Sequence, residues 1–310
     1  MSLLDRYAGV VCDLDGVVYR GEEAVPGAIE ALGDAALPVR YATNNASRPP
    51  ADVARQLRSL GLTLEDADVV TSSQAGAGVL LERVGTAVPV LPVGGEGVRA
   101  ALLELGLAVA DRSTPAAEPG AVLQGYGPAV AATDLAEVAY AVQRGAVWVA
   151  TNTDATLPTE RGMAPGNGAL VAAVRCAVGR DPDVVAGKPF PPLYLLCAQR
   201  LGTDVARVLA IGDRLETDIE GAVRTGMDSV LVLTGVHTLR DAALAGPERR
   251  PTWVLPNLSW LHRPVAGPIE DAAAALRAIH ADVDAGRLDA GGVAERLSGL
   301  VTLLGTASPR

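Results

Sequence analysis

Short apolar runs that end in polar clusters recur along this 310-residue chain, and amphipathic stretches with a helical period lie between them. Residues 9–14, 39–43, 88–93, 121–124, 147–150, 208–211, 229–233 and 253–255 read as strands. Residues 49–60, 97–105, 135–144, 191–201 and 216–225 read as helices. Strands separated by helices form βαβ units, so they share a parallel sheet flanked by helices. The expected fold class is therefore α/β with a mostly parallel sheet.

The pattern is interrupted once. An opening β-α-β-α is complete by about Arg83, and residues from about Ala87 to Arg180 carry strands, helices and Pro/Gly-rich turns of their own (STPAAEPG, ATLPTERGMAPGNG). Strong βα alternation then resumes. This predicts a discontinuous core over 1–84 and 182–262 with an inserted domain over 85–181. The stretch 263–310 is Ala-rich, helical in pattern and without strand signal, and reads as a helical extension.

Composition narrows the function. With 26 basic and 36 acidic residues the net charge is −10, which argues against broad nucleic-acid binding. No uncharged apolar run approaches the roughly 18 residues of a membrane span, and no signal peptide is evident at the N-terminus. Cys12, Cys176 and Cys197 form an odd, sparse set, expected as reduced core thiols in a cytoplasmic protein. His237, His262 and His280 form no ligand-like cluster, so zinc is not expected, and His237 reads as a loop residue. Of the 26 basic residues 25 are Arg, and the single Lys is Lys188.

Four strand ends carry chemistry. In DLDGVVYRG, Asp13 and Asp15 close the first strand and Gly16 permits a sharp turn. Two nearby carboxylates hold a cation or perform acid–base work, unless they merely form a turn. In TNNASRPP, Thr43, Asn44 and Asn45 lead into a helix and suit an anion cradle or a simple N-cap. In AGKPFPPLY, Lys188 is the one place where an ammonium stands in a chain that otherwise uses guanidinium. In IGDRLETDIEGA, Asp213 follows a strand and Asp218 opens a helix. Ligands of parallel sheets bind at the C-terminal strand ends. Several acids, one cation and one hydroxyl there suit an oxygen-ligated Mg²⁺ plus a phosphate.

These four motifs, in this order and spacing, resemble the haloacid dehalogenase (HAD) superfamily of phosphatases, whose core is Rossmann-like. The insert resembles the type C2 cap of the NagD-like, p-nitrophenyl-phosphatase-like branch, and TNTDATLPTERGMAPGNG looks like that branch's cap-to-core segment. With TNNASR and GDRLETDIEGA, the chain looks closest to bacterial glycerol 3-phosphate phosphatases. The resemblance covers about Tyr7 to His262 and leaves out the tail.

The resemblance implies roles. Asp13 would be the nucleophile that takes the phosphoryl group, and Asp15 the general acid and then base. Thr43 and the Asn44 amide would donate to phosphate oxygens, and Lys188 would bind them. Mg²⁺ would be held by Asp13, the Asp15 carbonyl and Asp213, with Asp218 as ligand, water-bridged partner or outer neighbour. Asn45 joins the substrate-binding set. Asn152, Asp154 and Arg161, on the return path from the cap, would either bind substrate hydroxyls or stabilise the loop. The implied enzyme is a phosphoric monoester hydrolase favouring glycerol 3-phosphate. The alternatives are 2-phosphoglycolate, nucleoside monophosphates or p-nitrophenyl phosphate, a phosphoryl transferase, or a non-catalytic binder of phosphate ligands. A homodimer through the cap is expected.

Overall fold

The computed structural model describes residues 1–110, 118–159 and 161–305. The chain forms two compact units, Met1–Tyr41 with Leu57–Leu64 and Cys197–Arg310, and Ala42–Gln56 with Glu65–Leu196. These follow spatial contact, whereas the expected segments 1–84 with 182–262 and 85–181 follow the interruption in sequence pattern. Residues 42–56, 65–84 and 182–196 are thus grouped with the second unit.

In the first unit, strands run parallel in the order Trp253–Leu255, Asp228–Val232, Val208–Gly212, Gly9–Cys12 and the Val39–Tyr41 part of Val39–Thr43. Every residue of Gly9–Cys12 and Val208–Gly212 is buried, the continuous apolar pattern of a sheet covered on both faces. Because neighbours are parallel, Cys12, Gly212 and Val232 end on one edge of the sheet. The sheet is also tied near its other edge. The Tyr7 hydroxyl donates to Asp228 Oδ2 at 2.8 Å and accepts from Trp253 Nε1 at 2.9 Å. The tail forms two helices, Pro268–Asp284 and Ala290–Leu304. The first buries Ile269, Ala272, Ala273, Leu276 and Ile279 and packs on the Trp253–Leu255 strand.

In the second unit, Val184–Val185, Val147–Ala150, Ala121–Gln124 and Val90–Val93 form a parallel sheet in that order. Trp148 is fully buried among Val122, Val138, Val142, Val171 and Val174, and its Nε1 donates to Gln124 Oε1 at 2.9 Å. An antiparallel hairpin, Thr156–Thr159 with Gly162–Pro165, leads from the sheet to the helix Asn167–Val178.

Several local expectations change. The first strand ends at Cys12 rather than Leu14, because the Leu14 carbonyl accepts from the amides of Val17, Val18 and Tyr19 and closes a turn. The helix expected over 216–225 divides into a π-helical turn, Leu215–Ile219, and an α-helix, Glu220–Thr225. Cys176 is exposed, not core. It lies two residues, about 200°, around the helix from buried Val174. The expected Pro/Gly-rich turn at Ser113–Gly120 falls at 113–117 outside the described residues.

Candidate active site

The first unit gathers an acidic cluster from two strand ends and the turn that follows one of them. Asp13 follows Cys12 and donates its amide to the Ile211 carbonyl at 2.9 Å, which continues the parallel ladder one residue beyond the strand. Asp213 directly follows Gly212, and Asp218 stands in the π-helical turn, where both Asp218 and Ile219 donate to the Arg214 carbonyl at 3.1 Å. The extra residue of a π turn re-aims a side chain, and such turns concentrate at functional sites. Here it lets Asp218 turn back so that its Oδ2 accepts from the Arg214 amide at 3.1 Å. One carboxylate oxygen each of Asp13, Asp213 and Asp218 lies within 4.8 Å of the other two. Asp213 and Asp218 are 1% and 2% exposed.

Three carboxylates this close repel one another. At an effective dielectric of 20, each pair of like charges at this separation costs about 3.5 kcal/mol or more. A divalent cation removes that cost, and an all-oxygen donor set suits Mg²⁺ or Ca²⁺.

Backbone packs closely against Asp213. Gly16 has φ +81°, and a Cβ there would stand 2.5 Å from Asp213 Oδ2. A Cβ on Gly235 would overlap the Asp213 carboxylate. Thr234 Oγ1 donates to the Gly16 carbonyl at 2.8 Å, and the Val236 amide donates to Asp213 Oδ2 at 2.8 Å. The residues 234–236 were missed as site residues in sequence. The available signal was a Thr-Gly pair following an apolar strand, as Asp13 and Asp213 follow theirs. Asp15 is exposed, on the turn that Gly16 permits. His237 borders the cluster: its amide donates to the Asp213 carbonyl at 3.2 Å, and its Nδ1 accepts from the Leu215 amide at 3.3 Å.

The second unit holds the other expected residues in a polar network. Thr43 Oγ1 accepts from the Asn45 amide at 3.0 Å, leaving its hydroxyl proton to be donated elsewhere. Asn45 is exposed, and its Oδ1 accepts from the Ser47 amide at 3.0 Å and the Ser47 hydroxyl at 2.8 Å. The Asn44 side chain meets Asp154 and both backbone groups of Lys188. Asn152 Nδ2 donates to the Asn44 carbonyl at 2.7 Å. Lys188 is 4% exposed, and its Nζ donates to the Ala42 carbonyl at 3.3 Å. Arg161 is exposed at the turn of the 156–165 hairpin, where its amide donates to Thr159 Oγ1 at 3.3 Å.

Two family models match the chain: a haloacid dehalogenase-like hydrolase model over residues 10–108 and a HAD-hydrolase-like model over 185–261. The D-glycerol 3-phosphate phosphatase of Mycobacterium tuberculosis is 43% identical over 262 residues, 84% of this chain and 73% of that protein. An acid sugar phosphatase of Staphylococcus aureus is 34% identical over 241 residues, 77% of this chain and 91% of that one. Among solved structures, a glycerol phosphate phosphatase from M. tuberculosis in complex with magnesium aligns at TM-score 0.80 and 42% identity, covering 85% of this chain and 78% of that one. A p-nitrophenyl phosphatase from Archaeoglobus fulgidus aligns at TM-score 0.74 and 27% identity, covering 81% and 97%.

Proposed function

The chain belongs to the haloacid dehalogenase-like hydrolase family, and from that premise we propose that it is a Mg²⁺-dependent phosphatase of small phosphate monoesters with glycerol 3-phosphate as its favoured substrate. The observation that carries the reading is the convergence of Asp13 and Asp213, each directly after a parallel strand, with Asp218 of the π-helical turn that follows. The substrate rests on the 43% identical relative, which acts on D-glycerol 3-phosphate.

Phosphoryl transfer needs an in-line nucleophile and charge compensation more than covalent machinery. Asp13 is the nucleophile: its carboxylate oxygen attacks phosphorus as the P–O bond to the alcohol breaks. Asp15 gives its proton to the leaving alkoxide. It then takes a proton from the water that hydrolyses the aspartyl phosphate and so returns to its starting state. Its exposed position on the Gly16 turn suits a group that must meet water in the second half-reaction. Lys188 offsets charge on the phosphoryl oxygens, and Thr43 and the Asn44 backbone amide donate to them. Asp13, the Asp15 carbonyl and Asp213 would hold the Mg²⁺, with Asp218 beside them. When bound, the ion neutralises carboxylate and phosphoryl charge that would otherwise repel.

We assign a core over 1–84 and 182–262, a cap over 85–181 that selects substrate, and a helical extension over 263–310. No described helix is long and apolar enough to cross a membrane. The free cysteines support a cytoplasmic enzyme. A homodimer through the cap belongs to the same proposal, and light scattering at micromolar concentration tests it.

Phosphate release with Mg²⁺, and with EDTA as control, tests the reading. The panel is glycerol 3-phosphate, 2-phosphoglycolate, nucleoside monophosphates and p-nitrophenyl phosphate. A kcat/KM for glycerol 3-phosphate about a hundredfold above the rest supports it. No release from any ester by folded, metal-binding protein would favour a transferase or a binder instead.

A further inference from the structure

Asn44 stands where a substrate contact was expected, yet both polar atoms of its side chain are engaged within the protein. Nδ2 donates to the Lys188 carbonyl at 3.0 Å and faces the Asp154 carboxylate at 3.2 and 3.3 Å. Oδ1 accepts from the Lys188 amide at 2.8 Å. An amide offers two N–H donors on one side and an acceptor oxygen on the other. The reversed orientation would set the oxygen against a carbonyl and a carboxylate, so the partners determine it. The side chain therefore grips Lys188 by both backbone groups, as a neighbouring strand would.

The grip is itself held. The Asn44 carbonyl accepts from Asn152 Nδ2 at 2.7 Å and Ser72 Oγ at 2.8 Å. Asn152 Oδ1 accepts from the Asp154 amide at 3.2 Å, and the Asn152 carbonyl accepts from Asn167 Nδ2 at 2.7 Å. Gly187 makes the approach possible, since a Cβ there would stand 2.5 Å from Asn44 Oδ1 and 2.6 Å from the Thr151 carbonyl. The far end of Lys188 returns to the same segment, with Nζ on the carbonyl of Ala42. A lysine has one of the most freely rotating side chains, so directing its ammonium requires a fixed backbone.

We infer that Asn44 is a positioning residue. Its side chain, oriented by Asp154 and supported by Asn152, sets the Lys188 backbone and through it the ammonium, and does not bind substrate. This rests on the reading of Lys188 as the phosphate-binding cation, so the test has one arm that needs no catalysis. Lys188 is the only lysine. The full-length protein labelled with ¹⁵N-lysine therefore gives a single lysine backbone amide signal in NMR. In Asn44→Ala that amide exchanges with solvent about tenfold faster, as expected for one lost hydrogen bond. Unchanged exchange overturns the inference, whatever the enzyme does.

The kinetic arm uses p-nitrophenyl phosphate. Asn44→Asp keeps the acceptor for the Lys188 amide but faces Asp154 with a second carboxylate. Its kcat falls about a hundredfold, the scale of an ångström-sized misplacement, with KM changed less than threefold. Adding Asp154→Asn restores a donor between the two side chains and recovers at least tenfold of that loss. A KM rise with unchanged kcat, or no recovery in the double variant of a folded protein, overturns the inference. If the parent enzyme itself releases no phosphate, the phosphatase reading fails, and the exchange measurement still decides the clamp.

Discussion

Replacing Gly16 with Ala separates backbone strain from disruption of the acidic cluster. Gly16 has φ +81°, where an L-residue costs about 1–2 kcal/mol. The added methyl would also stand 2.5 Å from Asp213 Oδ2. An ordinary contact is about 3.5 Å, so the carboxylate must retreat by about 1 Å. That retreat strains the 2.8 Å bond from the Val236 amide, and a hydrogen bond to a charged group is worth about 1.5–3 kcal/mol. The two terms together predict a loss of about 2.5–5 kcal/mol in urea unfolding, and about a hundredfold in kcat from the displaced metal ligand. Gly21→Ala is the control. Gly21 has φ +62°, and a methyl added there would meet nothing within 4 Å, so it carries the strain alone. It should lose about 1–2 kcal/mol and keep its activity. Equal effects of the two substitutions on stability and on phosphate release would refute the steric argument.

Asp213→Asn should weaken Mg²⁺ binding in calorimetry by at least tenfold while raising the Tm of metal-free protein, because one of three crowded charges is gone. A lower metal-free Tm would mean that the carboxylates do not repel in the folded state. His280 is buried with Nε2 2.8 Å from the Ala242 carbonyl, and burial holds its pKa below the ordinary value of 6.5. The unfolded chain therefore takes up this proton first as pH falls. His280 stabilises the fold above about pH 6.5, and that contribution declines below it until the lowered pKa is passed. His280→Gln should flatten the stability profile between pH 7 and 5, and an unchanged slope there would assign it to other groups. The Tyr7 phenol is pushed well above 10, chiefly by burial. It stabilises the fold below pH 10 and loses that contribution as pH rises further, so Tyr7→Phe should show a shallower alkaline decline.

The strand-end motifs were legible because two local rules coincide there. Apolar runs mark buried parallel strands, and Asp13 and Asp213 each follow such a run directly. Lys188 stood out by composition alone. What lay hidden depends on long-range contacts, which leave no periodic trace. Asn44 meets Asp154 and Lys188 across 110 and 144 residues, so a residue read as a substrate contact is occupied inside the protein. The Val236 amide reaches Asp213 across 23 residues. Asp218 looked like a first-turn helical residue, and the π turn that re-aims it has no sequence signature. Cys176 was misread because a short apolar helix, NGALVAAVRCAV, shows too little polar contrast to identify its buried face.

The proposed mechanism requires Asp13 to carry the phosphoryl group. Rapid acid quench after mixing with ³²P-labelled glycerol 3-phosphate and Mg²⁺, followed by peptide mapping, tests it most directly. Hydroxylamine-labile label is expected on the peptide containing Asp13, and none in Asp13→Asn. Phosphate release at full rate by Asp13→Asn, or label on any other residue, would contradict it.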